Sequence, residues 1–146
     1  MDGLEVIEDA FSRIHSTLLS TLRGLTSDDL YYSPRIECNT IAWLAWHLTR
    51  VQDRHIADLA GQEQEWILGK WFEEFGQSPN PRNVGFAHTP EQVQSFRLPN
   101  LDLMLAYHDA VYSQSTSYLK TITPTDLDRI LDEPQYGPLP LSLIHI

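Results

Sequence analysis

Apolar residues recur every three or four positions in the first part of the chain, at Leu4, Ile7, Phe11, Ile14, Leu18, Leu22 and Leu25. That spacing lines one face of an α-helix and predicts a helix over about residues 3–24, ended by Gly24. A second helix is expected from a cap at Asn39 or Thr40 to Gly61. A third should start at Asn100, after Pro99, and run to about Ile122. Its stripe is broad and takes in Met104, His108, Val111, Tyr112 and Leu119. The pattern is all-α. A helical bundle closes its core when each stripe meets neighbours on both sides, so three stripes this wide should leave a groove for a fourth helix.

The segments between the helices carry turn chemistry. Leu25-Thr-Ser-Asp-Asp-Leu30 follows the first helix and Ile122-Thr-Pro-Thr-Asp-Leu127 follows the third. Both read as a Thr cap with Asp three residues on, in the manner of a capping box. The connector Gln62 to Pro99 gathers Trp66, Trp71, Phe72 and Phe75, with a short helix expected to end at Gly76. Thr89-Pro90-Glu91-Gln92 is a helix start with Pro at the first position. The aromatics are open to two readings. They make a lid over one end of the bundle, or a satellite core that anchors the loop.

Between Thr40 and Leu48 every residue is apolar except Thr40 itself and His47. A buried imidazole needs a partner, because an unpaired polar group in a core costs about 1–3 kcal/mol. Arg50 and Arg54 follow His47 at i+3 and i+7, so this face turns polar just below the ring. His47 is thus placed to face a cleft as a metal ligand, or to sit in the core bonded to a carbonyl.

The same stretch, NTIAWLAWHLTRVQDRH, resembles the second-helix motif of the DinB-like superfamily, in the branch of mycothiol-dependent maleylpyruvate isomerases and related thiol transferases. The resemblance continues through EWILGKWFEEFG, GFAHTPEQVQSFRLPN, LMLAYHDAVYSQSTSYL and TPTDLDRILDEP, from Gly3 to about Pro140. It implies a four-helix bundle of up-down-down-up type. It also implies a divalent metal, usually zinc or nickel, on one histidine of the second helix and two of the fourth. His47 matches the first, while the other two have no match. In the family mechanism the metal binds a low-molecular-weight thiol, such as mycothiol, as the thiolate that attacks an electrophile. Arg50 or Arg54 would then hold carboxylates of the thiol or substrate.

The last six residues, Leu141 to Ile146, read LSLIHI, which one frame of a transposon end used in sequencing libraries encodes. The natural sequence is therefore expected to stop near Pro140, giving an incomplete DinB-like domain over 1–140 and a non-native tail over 141–146. On that expectation the fourth helix is missing. The chain would then bind zinc weakly and expose apolar surface, with self-association, including a homodimer, as the consequence.

The other candidates separate on geometry. His55 lies eight residues past His47, about 12 Å along a helix, too far to share one ion. His108, inside the apolar stripe of the third helix, is read as a bonded core residue or as a pocket residue that binds the thiol or substrate. His15 is expected to be exposed, and His88 could reach the site only if the connector folds over it. Asp53 points about 120° away from His47 around the helix and is expected to pair with Arg50, Arg54 or a neighbouring helix. Asp58 carries a carboxylate of the same kind. Cys38 is read as inert.

Composition narrows the partners. The 146 residues include 20 acidic and 10 basic side chains, a net charge of −10, which disfavours nucleic acid and anionic membrane. No apolar run is long enough to span a bilayer, and no signal peptide is visible. A single cysteine fits a reducing cytoplasm. Two functional classes are consistent with these features: a metal-dependent thiol transferase or isomerase acting on a small electrophile, and a non-catalytic bundle for binding or stress response.

Overall fold

The computed structural model describes residues 2–133 and 137–140. Asp2 opens helix α1 (Gly3–Leu22), its carboxylate accepting from the amides of Leu4 and Glu5. Thr26 and Asp29 then cap a five-residue helix α2 (Ser27–Tyr31). Thr40 caps α3 (Ile41–Ala60), which Gly61 ends in the left-handed conformation. Two short helices, α4 (Glu65–Leu68) and α5 (Trp71–Glu74), lie in the connector, followed by α6 (Pro90–Ser95). Asn100 caps α7 (Leu101–Leu119).

The three long helices match the three predicted stripes, and both Thr-Asp echoes form the expected caps. Asp29 accepts from the Thr26 amide at 2.8 Å, and Asp126 accepts from the Thr123 amide at 2.7 Å. The second echo leads into a 3-10 turn, Pro124–Asp128. A short antiparallel pair comes next, β1 (Ile130–Glu133) with β2 (Gly137–Pro140), Ile130 opposite Pro140. Hydrophobic period did not signal this pair. Pro138 and Pro140 are tolerated in it because each strand of a two-stranded ribbon is an edge. The architecture is all-α around it. Among the described residues no fourth long helix occurs, and the expected tail, 141–146, lies outside them.

α7 packs against both α1 and α3 and forms the spine of the core. The main core joins Trp43 and Trp46 of α3 to Met104, Tyr107 and Val111 of α7, and it includes Trp66 and Phe75 from the connector. The connector aromatics therefore belong to the central core and not to a satellite. A smaller cluster holds Phe11, Ile56 and Leu119 at the other end. Leu44, Leu48 and Val6 remain exposed on the long helices.

Two glycines with positive φ do different work. Gly61 (φ 63°) has open space around a Cβ position, whereas a Cβ on Gly85 (φ 90°) would lie 2.9 Å from Trp43, 3.0 Å from Trp46 and 3.1 Å from His47 Nδ1. Gly61→Ala should cost only the left-handed backbone penalty, about 1 kcal/mol. Gly85→Ala adds overpacking and should cost roughly 3 kcal/mol. Chemical denaturation of the two variants checks this ordering, and equal losses would contradict it.

Candidate functional site

One face of α3, formed by Trp43, Trp46, His47 and Arg50, receives the connector segment 81–88. Arg50 is fully buried, and its guanidinium donates to five oxygens. Two are the carbonyls of Pro81 and Asn83, each at 3.2 Å. The others are Gln64 Oε1 at 2.9 Å, Asp53 Oδ2 at 3.2 Å and the Tyr107 hydroxyl at 3.3 Å. Its guanidinium carbon also lies 4.6 Å from the centre of the Trp66 ring. A buried cation needs this many acceptors, since desolvation otherwise removes its stability.

Asp53 completes the node. Its carboxylate accepts from the amides of Glu65 (2.8 Å) and Trp66 (2.9 Å), the first turn of α4, and from the Tyr107 hydroxyl (2.7 Å). Burial pushes the Asp53 carboxyl above its ordinary range, while the Tyr107 hydroxyl, the two amides and the Arg50 charge pull the other way. Burial, with the neighbouring Asp53 charge, drives the Tyr107 phenol well above its ordinary value. Tyr107 therefore stays a donor to Asp53. The expected Asp53–Arg50 pair is present, inside the protein.

His47 lies one turn before Arg50. Its Nδ1 donates to the Val84 carbonyl, and its ring stacks on Trp43 with centroids 4.6 Å apart. A carbonyl accepts only from N–H, so His47 Nδ1 carries a proton, and in the neutral ring Nε2 keeps its lone pair. Among the described residues nothing is bonded to that nitrogen. Leu44 (46% exposed) and Leu48 (40%) on the same helix, and Phe86 (87%) next to Gly85, are exposed apolar side chains.

The connector does fold over this face, which is the condition His88 required. Trp43 Nε1 donates to His88 Nδ1 at 3.1 Å, and His88 Nε2 lies 3.3 Å from Asn83 Oδ1. Both ring nitrogens of His88 are thus engaged. Burial, together with the charge of His47, lowers its pKa.

His108 is fully buried on α7. Thr49 Oγ1 donates to the Ala45 carbonyl, so the 3.0 Å contact from His108 Nδ1 to that oxygen makes Nδ1 the donor. His108 Nε2 has no partner among the described residues, nor has His15 Nδ1. His15 was expected in solvent. It is instead largely covered, stacked on Tyr112 at 4.1 Å and on His108 at 5.3 Å, with Nε2 3.4 Å from Asp109. Flanking polarity misled there, because the burying rings come from another helix.

Arg54 reaches solvent beside Asp58, 3.7 Å away. His55 lies half-buried two turns along α3 from His47, and Cys38 is a partly covered free thiol. Of the three side chains suggested for a thiol or substrate, then, Arg50 and His108 are interior and Arg54 is at the surface. Among the described residues no three His, Cys, Asp or Glu side chains are grouped to hold a metal ion.

With the geometry in place, comparison with known proteins defines the class. A family model described as the DinB superfamily matches residues 10–145. The chain belongs to the DinB superfamily. A solved structure described as the conserved protein of locus from Enterococcus faecalis superimposes with a TM-score of 0.85 at 23% identity. That alignment covers 98% of this chain and 84% of the other, and it establishes likeness of fold. No curated protein matches the chain. No helix among the described residues is long and apolar enough to cross a membrane.

Two outcomes test these placements. Arg50→Ala should destabilise the protein by about 3–5 kcal/mol, because it leaves Asp53 buried without its cation, while Arg54→Ala should change stability by less than about 0.5 kcal/mol. Denaturant titration separates them. His108 gives the second. Burial, reinforced by His15 and opposed by Asp109, lowers its pKa from 6.5 to about 4. The stability that neutral His108 contributes is complete above pH 6.5 and is lost as pH falls toward 4, a total of roughly 3 kcal/mol. His108→Gln should remove that part of the acid destabilisation, and an unchanged pH profile in the variant would contradict the assignment.

Proposed function

We propose that this DinB-superfamily chain supplies His47 Nε2 as one ligand of a divalent metal centre, zinc or nickel, in a thiol-dependent transferase or isomerase. The substrates would be a low-molecular-weight thiol such as mycothiol and a small electrophile. One observation carries the reading: Nδ1 of His47 is spent on the Val84 carbonyl, which leaves Nε2 as the free lone pair of the neutral ring. A ring nitrogen bonded to a carbonyl is how proteins orient a ligating imidazole and raise its basicity.

Arg54 is the remaining cation for a carboxylate of the thiol or substrate, because its guanidinium reaches solvent two turns from His47. Arg50 serves the site indirectly, by holding the Asn83 carbonyl next to Val84. Among the described residues His47 is the one side chain proposed as a ligand, and no further His, Cys, Asp or Glu side chains are grouped with it to hold the ion. A second reading, in keeping with the exposed apolar residues of the long helices, is a non-catalytic helical bundle that binds a partner without a metal. The cytoplasm and a homodimer remain part of the proposal, on composition and exposed apolar surface respectively.

Zinc titration of the 146-residue protein by calorimetry, beside His47→Ala, tests the assignment. Weak binding is expected in the parent, because a zinc site normally has three or four protein ligands. His47→Ala should abolish even that. Tight stoichiometric zinc retained by His47→Ala would refute the role of His47, and no binding by either protein would favour the non-catalytic reading.

A further inference from the structure

We propose that His88 is a positioning residue that fixes the protonation form of His47, acting through Trp43 and the segment 81–88. Its use to the protein rests on the reading of His47 as a nitrogen donor, but its physical content does not need a metal. A neutral imidazole carries one N–H, and in water the Nε2–H form is the commoner. His47 is held in the other form, because the Val84 carbonyl accepts from Nδ1. That selection lasts only while the carbonyl stays in place.

Two anchors hold it, one on each side of Val84. Before it, Arg50 grips the carbonyls of Pro81 and Asn83. After it, the backbone reverses through Gly85 (φ 90°) and Ala87 (φ 61°) and brings His88 back to α3. Ala87 is strained there, since a residue with a Cβ disfavours this region; the His88 amide closes the turn on the Gly85 carbonyl at 3.1 Å, and a bond beyond the turn docks it on α3. That bond runs from Trp43 Nε1 to His88 Nδ1, 3.1 Å.

The direction of the bond settles the rest. Because His88 Nδ1 accepts, its proton sits on Nε2, facing Asn83 Oδ1 at 3.3 Å. His88 therefore ties α3 to the residue whose carbonyl Arg50 already holds. The His88 ring also stacks on Trp46, with centroids 5.9 Å apart and planes 16° apart. The same bond orients the Trp43 indole, against whose face His47 lies. One histidine thus sets both contacts that define the His47 ring: the carbonyl at its edge and the aromatic plane on its face.

Glutamine can replace this function, since its amide has an acceptor for Trp43 and a donor for Asn83. Alanine cannot. The test is long-range proton–nitrogen NMR of the histidine rings in the metal-free 146-residue protein, at a pH where both imidazoles are neutral. In the parent, His47 should show a protonated Nδ1 and a bare Nε2. His88→Ala should shift the ratio of the two forms toward Nε2–H by roughly fivefold, the worth of one net hydrogen bond, and His88→Gln should restore the parent pattern. Trp43→Phe keeps the aromatic plane without the N–H, and it should behave as His88→Ala does. If His88→Ala does not fold, Trp43→Phe decides the matter.

An unshifted His47 in the folded variants would overturn the proposal, as would a parent protein already in the Nε2–H form. Failure of zinc binding with the His47 pattern intact would count against the proposed function and leave this inference standing.

Discussion

A buried cation holds the connector to the bundle. Arg50 enters from α3 and meets oxygens from residues 53, 64, 81, 83 and 107, so one guanidinium joins α3, α7 and both ends of the connector's middle stretch. Neither charge of the Arg50–Asp53 pair could be buried alone, since an isolated ion in a low-dielectric interior costs many kcal/mol. The pair is tolerable because every guanidinium nitrogen and both carboxylate oxygens have partners. Removing one partner is then far more harmful than the pair is stabilising. The node specifies where the connector goes more than it adds to stability.

The course of the connector beyond α3 depends on that placement. Asp53 accepts from the first amides of α4, which seats Trp66 in the core against Tyr107 and Phe75. Trp66 in turn donates to the Ser78 carbonyl, which starts the return toward α3. Arg50 receives the returning strap at Pro81 and Asn83, Val84 reaches His47, and His88 closes on Trp43. The candidate site is thus assembled by backbone carbonyls presented to one helix face, with side chains as donors. His47 gains a defined ring orientation from residues that lie about 40 positions away in sequence.

The long helices were legible because period and caps are local: Thr40, Gly61 and Asn100 sit where the stripes begin or end. The two Thr-Asp boxes were legible for the same reason. The strap was not, since carbonyl acceptors leave no trace in residue identity; Pro81 and Val84 bond through their carbonyls alone, and the Asn83 side chain finds its partner only once the loop has folded. Arg50 and Arg54 looked alike on a helical face and part company only when the connector covers one of them. His15 looked solvated because its neighbours in sequence are polar, while Tyr112 and His108, which bury it, come from α7. Gly85 and His88 together were the available hint of a docked loop: a residue without a Cβ beside one that can bond in two directions.

The most direct measurement is native-state hydrogen exchange of the Glu65 and Trp66 amides, followed by NMR beside the core amides of α3. If the Arg50–Asp53 node holds the connector as part of the core, both amides should be protected to within about 1 kcal/mol of the amide of Ala57. Exchange of Glu65 and Trp66 at the rate of an open peptide, while Ala57 stays protected, would show a connector that swings free of α3 and would contradict the account.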